Sequence, residues 1–273
     1  MDHKVAEIHK ERIYYKTIKS AKESSLISVN DNILVVCAGH QDKRILESQG
    51  FKNVTISNLD ERLDNDEFAP YQYSYQNAED LSYGDDAFDW VIVHAGLHHC
   101  YRPHRALLEM LRVGKKGAIV FEARDSSIMR IGKKYNLVPT YEIEAVIGND
   151  LKYGGVANSS IPNYIYRWKE REIESILNAY FPNFQDNKVH YFYNLRLPTK
   201  RISIVNSPIK RMAMHAFLIP LRILCAIFPK QSNEFCFIMK KGTQLHSWLK
   251  VENGAVVINP DVIKKDFNLD KSF

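Results

Sequence analysis

The sequence predicts an α/β protein built on a doubly wound parallel sheet, and three observations predict it. Ile33 to Cys37 is a short, uninterrupted apolar run that passes through a tight turn at Ala38-Gly39 into a helix beginning near Asp42. A second strand–helix–strand unit follows as Phe88 to Val93, a helix opened by Pro103 and closed by Gly114, and Gly117 to Glu122. Between the two units lie further short strand patterns and no long helical repeat. Apolar strands rich in Val and Ile suit a sheet covered on both faces by helices. Alternation of such strands with helical patterns is the signature of βαβ units.

Composition bounds the rest. A chain of 273 residues accommodates one large α/β domain with elaborations, or one domain and a small one. Hydrophobic content is 45% and charged content 25%, the balance of a globular protein rather than a disordered one. The net charge of +5 is mild, and no stripe of Lys and Arg interleaved with aromatics stands out, so nucleic-acid binding is not expected. Cys37, Cys100, Cys225 and Cys236 lie far apart without a CxxC pair and are read as core filler, with no metal expected. The first residues show no apolar leader run, and a cytoplasmic location is the expectation.

Residues 5–24 carry Val5, Ile8, Ile13 and Ile18 among charges and predict amphipathic helix lying across the domain rather than a core element. Asn30-Asp31-Asn32 turns the chain into the first strand. The first helix is expected over 42–49 with Gly50 at its C-terminal end. Val54 to Ser57 is a second strand ending at Asn58-Leu59-Asp60, and the acidic run 61–67 reads as a solvated loop. Tyr71 to Tyr75 alternates aromatic and polar residues, as an edge strand does, and Asn77 to Leu81 is a polar turn. The fourth strand ends at His94-Ala95-Gly96-Leu97-His98-His99. In the following helix Ala106, Leu107, Met110 and Leu111 supply the buried stripe. Past Asp125, residues 126–166 combine Tyr, Asn and Gly with few aliphatics, which suits a loop or lid over a polar substrate. Residues 167–180 form a helix with Ile173, Ile176 and Leu177 on one face, and 190–197 and 234–239 are a sixth and a seventh strand.

Ala78-Glu79-Asp80-Leu81, then Phe88-Asp89, then Leu97-His98-His99 resembles the pattern of class I S-adenosylmethionine-dependent methyltransferases, over roughly residues 30–125 well and 160–240 loosely. The bacterial polysaccharide-cluster enzymes are the subgroup it most looks like. The resemblance implies a Rossmann-like, seven-stranded, mostly parallel sheet with an antiparallel edge strand. It also implies that S-adenosyl-L-methionine is held by Ala38, Gly39, Asn58, Asp60, Asn77, Ala78, Glu79 and His94. The family's first loop carries three glycines and an acid. Here Val35, Cys37 and Gln41 stand at the other positions and Gly39 alone is glycine, while Asn58 stands where the family has a ribose-binding carboxylate. Asp60 is then the rescuing acid, or else a helix cap.

His98 and His99 follow the fourth strand, where the reactive end of that cofactor is expected, and are candidates for taking a proton from the acceptor. Glu122, Arg124, Tyr153 and Tyr166 are the candidate acceptor-binding residues. The expected domains are a helical segment over 1–29, the methyltransferase domain over 30–242 and a tail over 243–273 that forms a hairpin around Asn253-Gly254. The most apolar stretch, 208–230, is interrupted by His215, Pro220 and Arg222 and does not read as a membrane span. It reads as a helix packed on the domain, as a homodimer contact, or as a membrane-surface helix. The expected function is methylation of a hydroxyl or amine on a polar small molecule or glycan precursor. The alternatives are a quinone- or lipid-directed enzyme and a noncatalytic scaffold with a decayed cofactor site.

Overall fold

The computed structural model describes residues 13–197 and 207–267. The central sheet contains β1 (Asn32–Val36), β2 (Asn53–Asn58), β3 (Gln72–Tyr75), β4 (Phe88–His94), β5 (Gly114–Ala123), β6 (Lys188–Asn194) and β7 (Glu234–Lys240) in the spatial order β3-β2-β1-β4-β5-β7-β6. β1 pairs in parallel with β2, Val35 opposite Ile56, and with β4, Val35 opposite Ile92. β7 is antiparallel to β5 on one side and to the outer strand β6 on the other. The chain winds outward from β1 to β3 and returns to β4, so the strand order reverses between β1 and β4. That reversal opens a crevice at the carboxyl ends of those strands.

β1 shows why the sheet is covered twice. Ile33 and Val35 belong to one apolar cluster, and Leu34 and Val36 to the other. On one face lie α1 (Ile13–Glu23) and α2 (His40–Ser48), with Tyr14, Ile18, Ile45 and Leu46 buried. On the other lie α4 (Pro103–Val113) and α7 (Glu170–Tyr180), with Leu107, Met110, Leu111, Ile173 and Leu177 buried. Pro103 at the first turn and Gly114 at the end delimit α4 as its sequence predicts.

Two expectations are corrected. The N-terminal helix is a core element: Tyr14 and Ile18 are fully buried, and the Tyr14 ring stacks on His94 at 4.8 Å and meets Phe121 at 4.7 Å. Counting aliphatics alone hid Tyr14, whose ring is buried together with Ile13, Ile18 and Ala21. Val5 and Ile8 lie outside the described residues. The acidic run is not all loop: α3 (Asn65–Phe68) forms because the Asp64 carboxylate accepts hydrogen bonds from the Asp66 and Glu67 amides, and Phe68 is buried.

Residues 126–166 contain α5 (Ser127–Lys134), α6 (Ile143–Ile147) and a short 3-10 turn at Val156–Asn158. α8 (Pro208–Ile227) carries Pro220 within it, and no helix among the described residues is long and apolar enough to cross a membrane. The tail forms the expected hairpin of β8 (Leu249–Glu252) and β9 (Ala255–Ile258), followed by α9 (Pro260–Phe267). Asn253 and Gly254 both take positive φ in its turn, as a tight two-residue hairpin requires.

The start of α2 carries a buried titratable group. The Asp42 carboxylate accepts the Gly39 N–H at 2.9 Å, and the buried Tyr14 phenol lies beside it. Burial pushes the Asp42 pKa up to about 6, against the lowering effect of the Gly39 amide and the Tyr14 hydroxyl. A folded pKa above the unfolded one stabilises the protein fully below the unfolded value, and that contribution is lost as pH rises through about 6. Wild type should therefore lose about 1–2 kcal/mol relative to Asp42→Asn between pH 5 and pH 8. Urea unfolding of both proteins at the two pH values measures it. Parallel pH profiles would refute it.

Candidate active site at the carboxyl edge of the sheet

A cavity of about 260 Å³ opens in the crevice between β1 and β4. Cys37 after β1, Asn58 and Asp60 after β2, Asn77, Ala78 and Glu79 after β3, and Ala95, Gly96, His99 and Cys100 after β4 line it. Asn149, Gly154, Gly155, Ala157 and Asn158 close it from the 126–166 segment. The carboxyl ends of β1, β2, β3 and β4 all contribute.

The floor is set by one fit. Cys37 takes the left-handed conformation at φ 51°, where glycine is ordinarily favoured. Its side chain sits against Gly96, where an added Cβ would lie 2.5 Å from the Cys37 Cβ and 2.9 Å from Val93 Cγ2. The glycine missing from the first loop is thus compensated by a glycine after β4. The Cys100 thiol hydrogen-bonds with Cys37 and is buried, and both effects hold its pKa far above the usual thiol range.

Asn58, which lines the cavity, donates through Nδ2 to the Ala38 carbonyl at 2.7 Å, and this bond does not use its amide oxygen. Asp60 is gripped by Arg62 at 2.8 and 2.6 Å, and this hydrogen bonding holds its carboxyl below the ordinary range. The Arg62 guanidinium lies 4.0 Å over the Tyr153 ring. Tyr153 therefore acts on the cavity through Arg62 and is not among the lining residues.

Ala38, Gly39 and His94, expected to hold a cofactor, are not among the lining residues. The Ala38 amide donates to Ser57 and the Gly39 amide to Asp42. His94 follows Trp90 and Ile92 in the two-residue period of β4, so its ring points at Tyr14 on the α1 face. Glu79 lines the cavity, but its carboxylate is spent on the Tyr101 amide and the Arg102 guanidinium, both at 2.8 Å. It ties the β3 turn to the start of α4 and does not leave a free acceptor there.

Beside this cavity the 3-10 turn Leu97–His99 presents the two histidines. Glu122, from the end of β5, accepts the Leu97 amide and faces His98 Nδ1, both at 2.7 Å. His98 Nε2 lies 3.1 Å, and His99 Nε2 3.3 Å, from Oε2 of Glu142, the residue that opens α6. Burial pushes the His98 pKa down, but the Glu122 and Glu142 carboxylates outweigh it and hold it up to about 10. Hydrogen bonds from the two histidines hold Glu142 far below the usual carboxylate range. With no cation present, a ring clasped by two carboxylates holds a proton on each nitrogen, so His98 is not the free proton acceptor that the sequence suggested, and a cation at Nε2 would have to displace the proton there. His99, 28% exposed at its side chain, borders the cavity directly.

A second cavity, of about 230 Å³, adjoins on the far side of His98, lined by Cys100, Tyr101, Pro103, Val156, Pro162, Asn163, Tyr164 and Tyr166 as well. Tyr166 borders it with its hydroxyl donating to Glu172 at 2.6 Å. Glu122 and Arg124 are not acceptor-binding residues. Glu122 is sealed behind His98, and Arg124 is buried, paired with Glu170 at 2.7 Å and donating to the Lys230 carbonyl. Glu122 lies near the end of β5 opposite Phe235 of β7, and Arg124 directly follows the strand, its amide donating to the Asn233 carbonyl.

Adjacent histidines were visible in the sequence. Glu142 and Asn158 were not singled out, because nothing in their local pattern says that a loop 43 residues downstream folds back onto the histidine turn.

Residues 37–121 match a family model described as a methyltransferase domain. Among solved structures, the fold is similar to that of a methyltransferase-titled protein from Bacillus halodurans, at 16% identity and TM-score 0.50, over 82% of this chain and 98% of that one. It is similar to the YcgJ protein of Bacillus subtilis at 13% identity and TM-score 0.50, over 85% and 100%. A Haloferax volcanii protein, solved with the Trm112 methyltransferase activator, shares it at 14% identity and TM-score 0.50, over 88% and 94%. No curated protein matches the chain.

Proposed function

We propose that the chain is a class I S-adenosylmethionine-dependent methyltransferase, which binds S-adenosyl-L-methionine in the larger cavity and methylates a hydroxyl or amine of a polar small molecule or glycan precursor. The observation that carries the reading is the cavity itself, at the point where the strand order reverses and with all four strand ends in its wall. Its residues fit the adenosyl part. Ala78, Ala95 and Gly96 leave a slot without bulky side chains, while the Asn58 amide oxygen and the Asp60 carboxylate can accept from ribose hydroxyls. When bound, the group supplies a methyl carried on a cationic sulfur, already activated for transfer.

What remains for the chain's own residues is alignment and exclusion of water. The 149–158 segment covers the cavity, and Asn158 anchors it by donating to the Leu59 carbonyl at 3.1 Å. Asn163, Tyr164 and Tyr166 give the second cavity hydroxyls, an amide and aromatic faces, suited to a polar acceptor with ring structure. His98 borders that cavity and His99 the first, which supports a position for the acceptor's reacting atom at the histidine turn. Titration calorimetry with S-adenosylmethionine and S-adenosylhomocysteine should give one site per chain. Absence of binding at millimolar ligand would favour the noncatalytic scaffold. His99→Ala should leave that affinity within about twofold and lower the transfer rate at least tenfold, the usual range for a group acting on the reacting atom. An unchanged rate would remove His99 from the chemistry.

A lipid or quinone acceptor is the second reading, favoured by the exposed Ile219, Ile223, Ile227 and Phe228 near the end of α8. The full chain should then float with anionic vesicles and lose this with Ile223→Glu and Ile227→Glu. Failure to float, with dimerisation in sedimentation, assigns the face to a second copy instead.

A further inference from the structure

We propose that His98 Nε2, His99 Nε2 and the Glu142 carboxylate form a site for one divalent transition-metal cation, standing between the two cavities. The three groups bring one ligand atom each, all within 4.8 Å of one another, and come from two separate segments of the chain. Both imidazole nitrogens lie 3.1–3.3 Å from the same Glu142 oxygen. Ligands about 2.0–2.1 Å from a metal are separated by roughly 3.0–3.4 Å along a tetrahedral or octahedral edge, so the two edges that meet at Glu142 have the lengths of a site. Two imidazoles and a carboxylate are a donor set for zinc, iron, cobalt or manganese and leave coordination positions open.

The surroundings are those of a metal site as well. Nδ1 of His98 is held at 2.7 Å by the buried Glu122 carboxylate, which is fixed in turn by the Leu97 amide. A carboxylate behind a ligating histidine sets its tautomer and strengthens its bond to the metal. Asn163 donates to Glu142 Oε2 at 3.4 Å and its amide hydrogen-bonding capacity is not exhausted: it is 2% exposed and its Oδ1 has no partner. That oxygen is placed to accept from a water or hydroxyl on the cation. With His98 bordering one cavity and His99 the other, the open positions face the place assigned to the acceptor. There a coordinated hydroxyl or amine would be oriented and made more acidic. The site stands on its own geometry; only this role rests on the methyltransferase reading.

The test is a Co²⁺ titration of the chelator-stripped full chain, read by visible absorption, with Zn²⁺ calorimetry in parallel. One equivalent should bind. His99→Ala and Glu142→Ala should each weaken binding at least 100-fold, and Glu122→Gln about 10- to 100-fold. His104→Ala, a histidine paired with Glu172 outside the cluster, should bind as wild type does. Circular dichroism confirms that each variant is folded; if Glu142→Ala is not, Glu142→Gln replaces it. No stoichiometric binding, or binding that survives loss of both His99 and Glu142, overturns the site. S-adenosylhomocysteine affinity of the stripped protein separates the two ideas. Cofactor without metal leaves the proposed function standing and the site refuted. Metal without cofactor does the reverse.

Discussion

Glu122→Ala is expected to destabilise the protein by about 3–5 kcal/mol, lowering Tm by about 10 °C. The Glu122 side chain is fully buried, and that of His98 is 8% exposed. Removing the carboxylate strands the His98 ring and leaves the Leu97 amide without its acceptor at 2.7 Å. The cost is that of an uncompensated buried charge together with an unmet backbone donor. Glu122→Gln keeps an acceptor for Leu97 and should recover about a third of the loss. Thermal and urea unfolding of the three proteins decide it. A loss below about 1 kcal/mol for Glu122→Ala would mean that Glu142 alone suffices to hold His98, and that β5 does not lock the histidine turn.

Gly96→Ala should weaken S-adenosylhomocysteine binding at least tenfold and cost about 1–3 kcal/mol, the usual range for overpacking. The new Cβ would meet Cys37 at 2.5 Å and Val93 at 2.9 Å. These contacts join β1 to β4 beneath the cavity, so relief requires the two strand ends to part. Cys37→Gly alone should be neutral or stabilising by about 1 kcal/mol, since it relieves a left-handed nonglycine residue. Added to Gly96→Ala, it should restore at least half of the lost affinity, because one of the two close contacts disappears. Equal losses in the single and double variants would show that Val93, not Cys37, sets the floor.

The sheet was legible because its evidence is local. Val and Ile runs without polar interruption can be buried only between two layers, and a turn glycine after the first run points to an open carboxyl edge. Pro103 and Gly114 fixed the bounds of α4, and Asn253-Gly254 fixed the hairpin, because each demands a backbone conformation that few residues supply. Asn58, Asp60, Asn77, Ala78 and His99, expected from the family resemblance and from their place at or after strands, line the cavity, and strand ends are where this architecture gathers its functional groups.

Orientation and partnership were beyond the sequence. His94 and His99 sit five residues apart, yet one faces Tyr14 and the other the cavity, because His94 is the last residue of β4 and follows its pleat while His99 belongs to the 3-10 turn beyond it. Glu122 and Arg124 have the composition of ligand-binding residues, and His98 and Glu170 of α7 hold them in buried ion pairs instead. Glu142 becomes part of the site only through the fold-back of a Tyr- and Asn-rich segment whose own pattern carries no periodicity. By itself the sequence determined where strands end and glycines are needed, since backbone propensity and apolar patterning act over a few neighbouring residues. The tertiary structure alone decided which charged groups neutralise one another and which remain for chemistry, because charge pairing depends on distances in space between segments far apart along the chain.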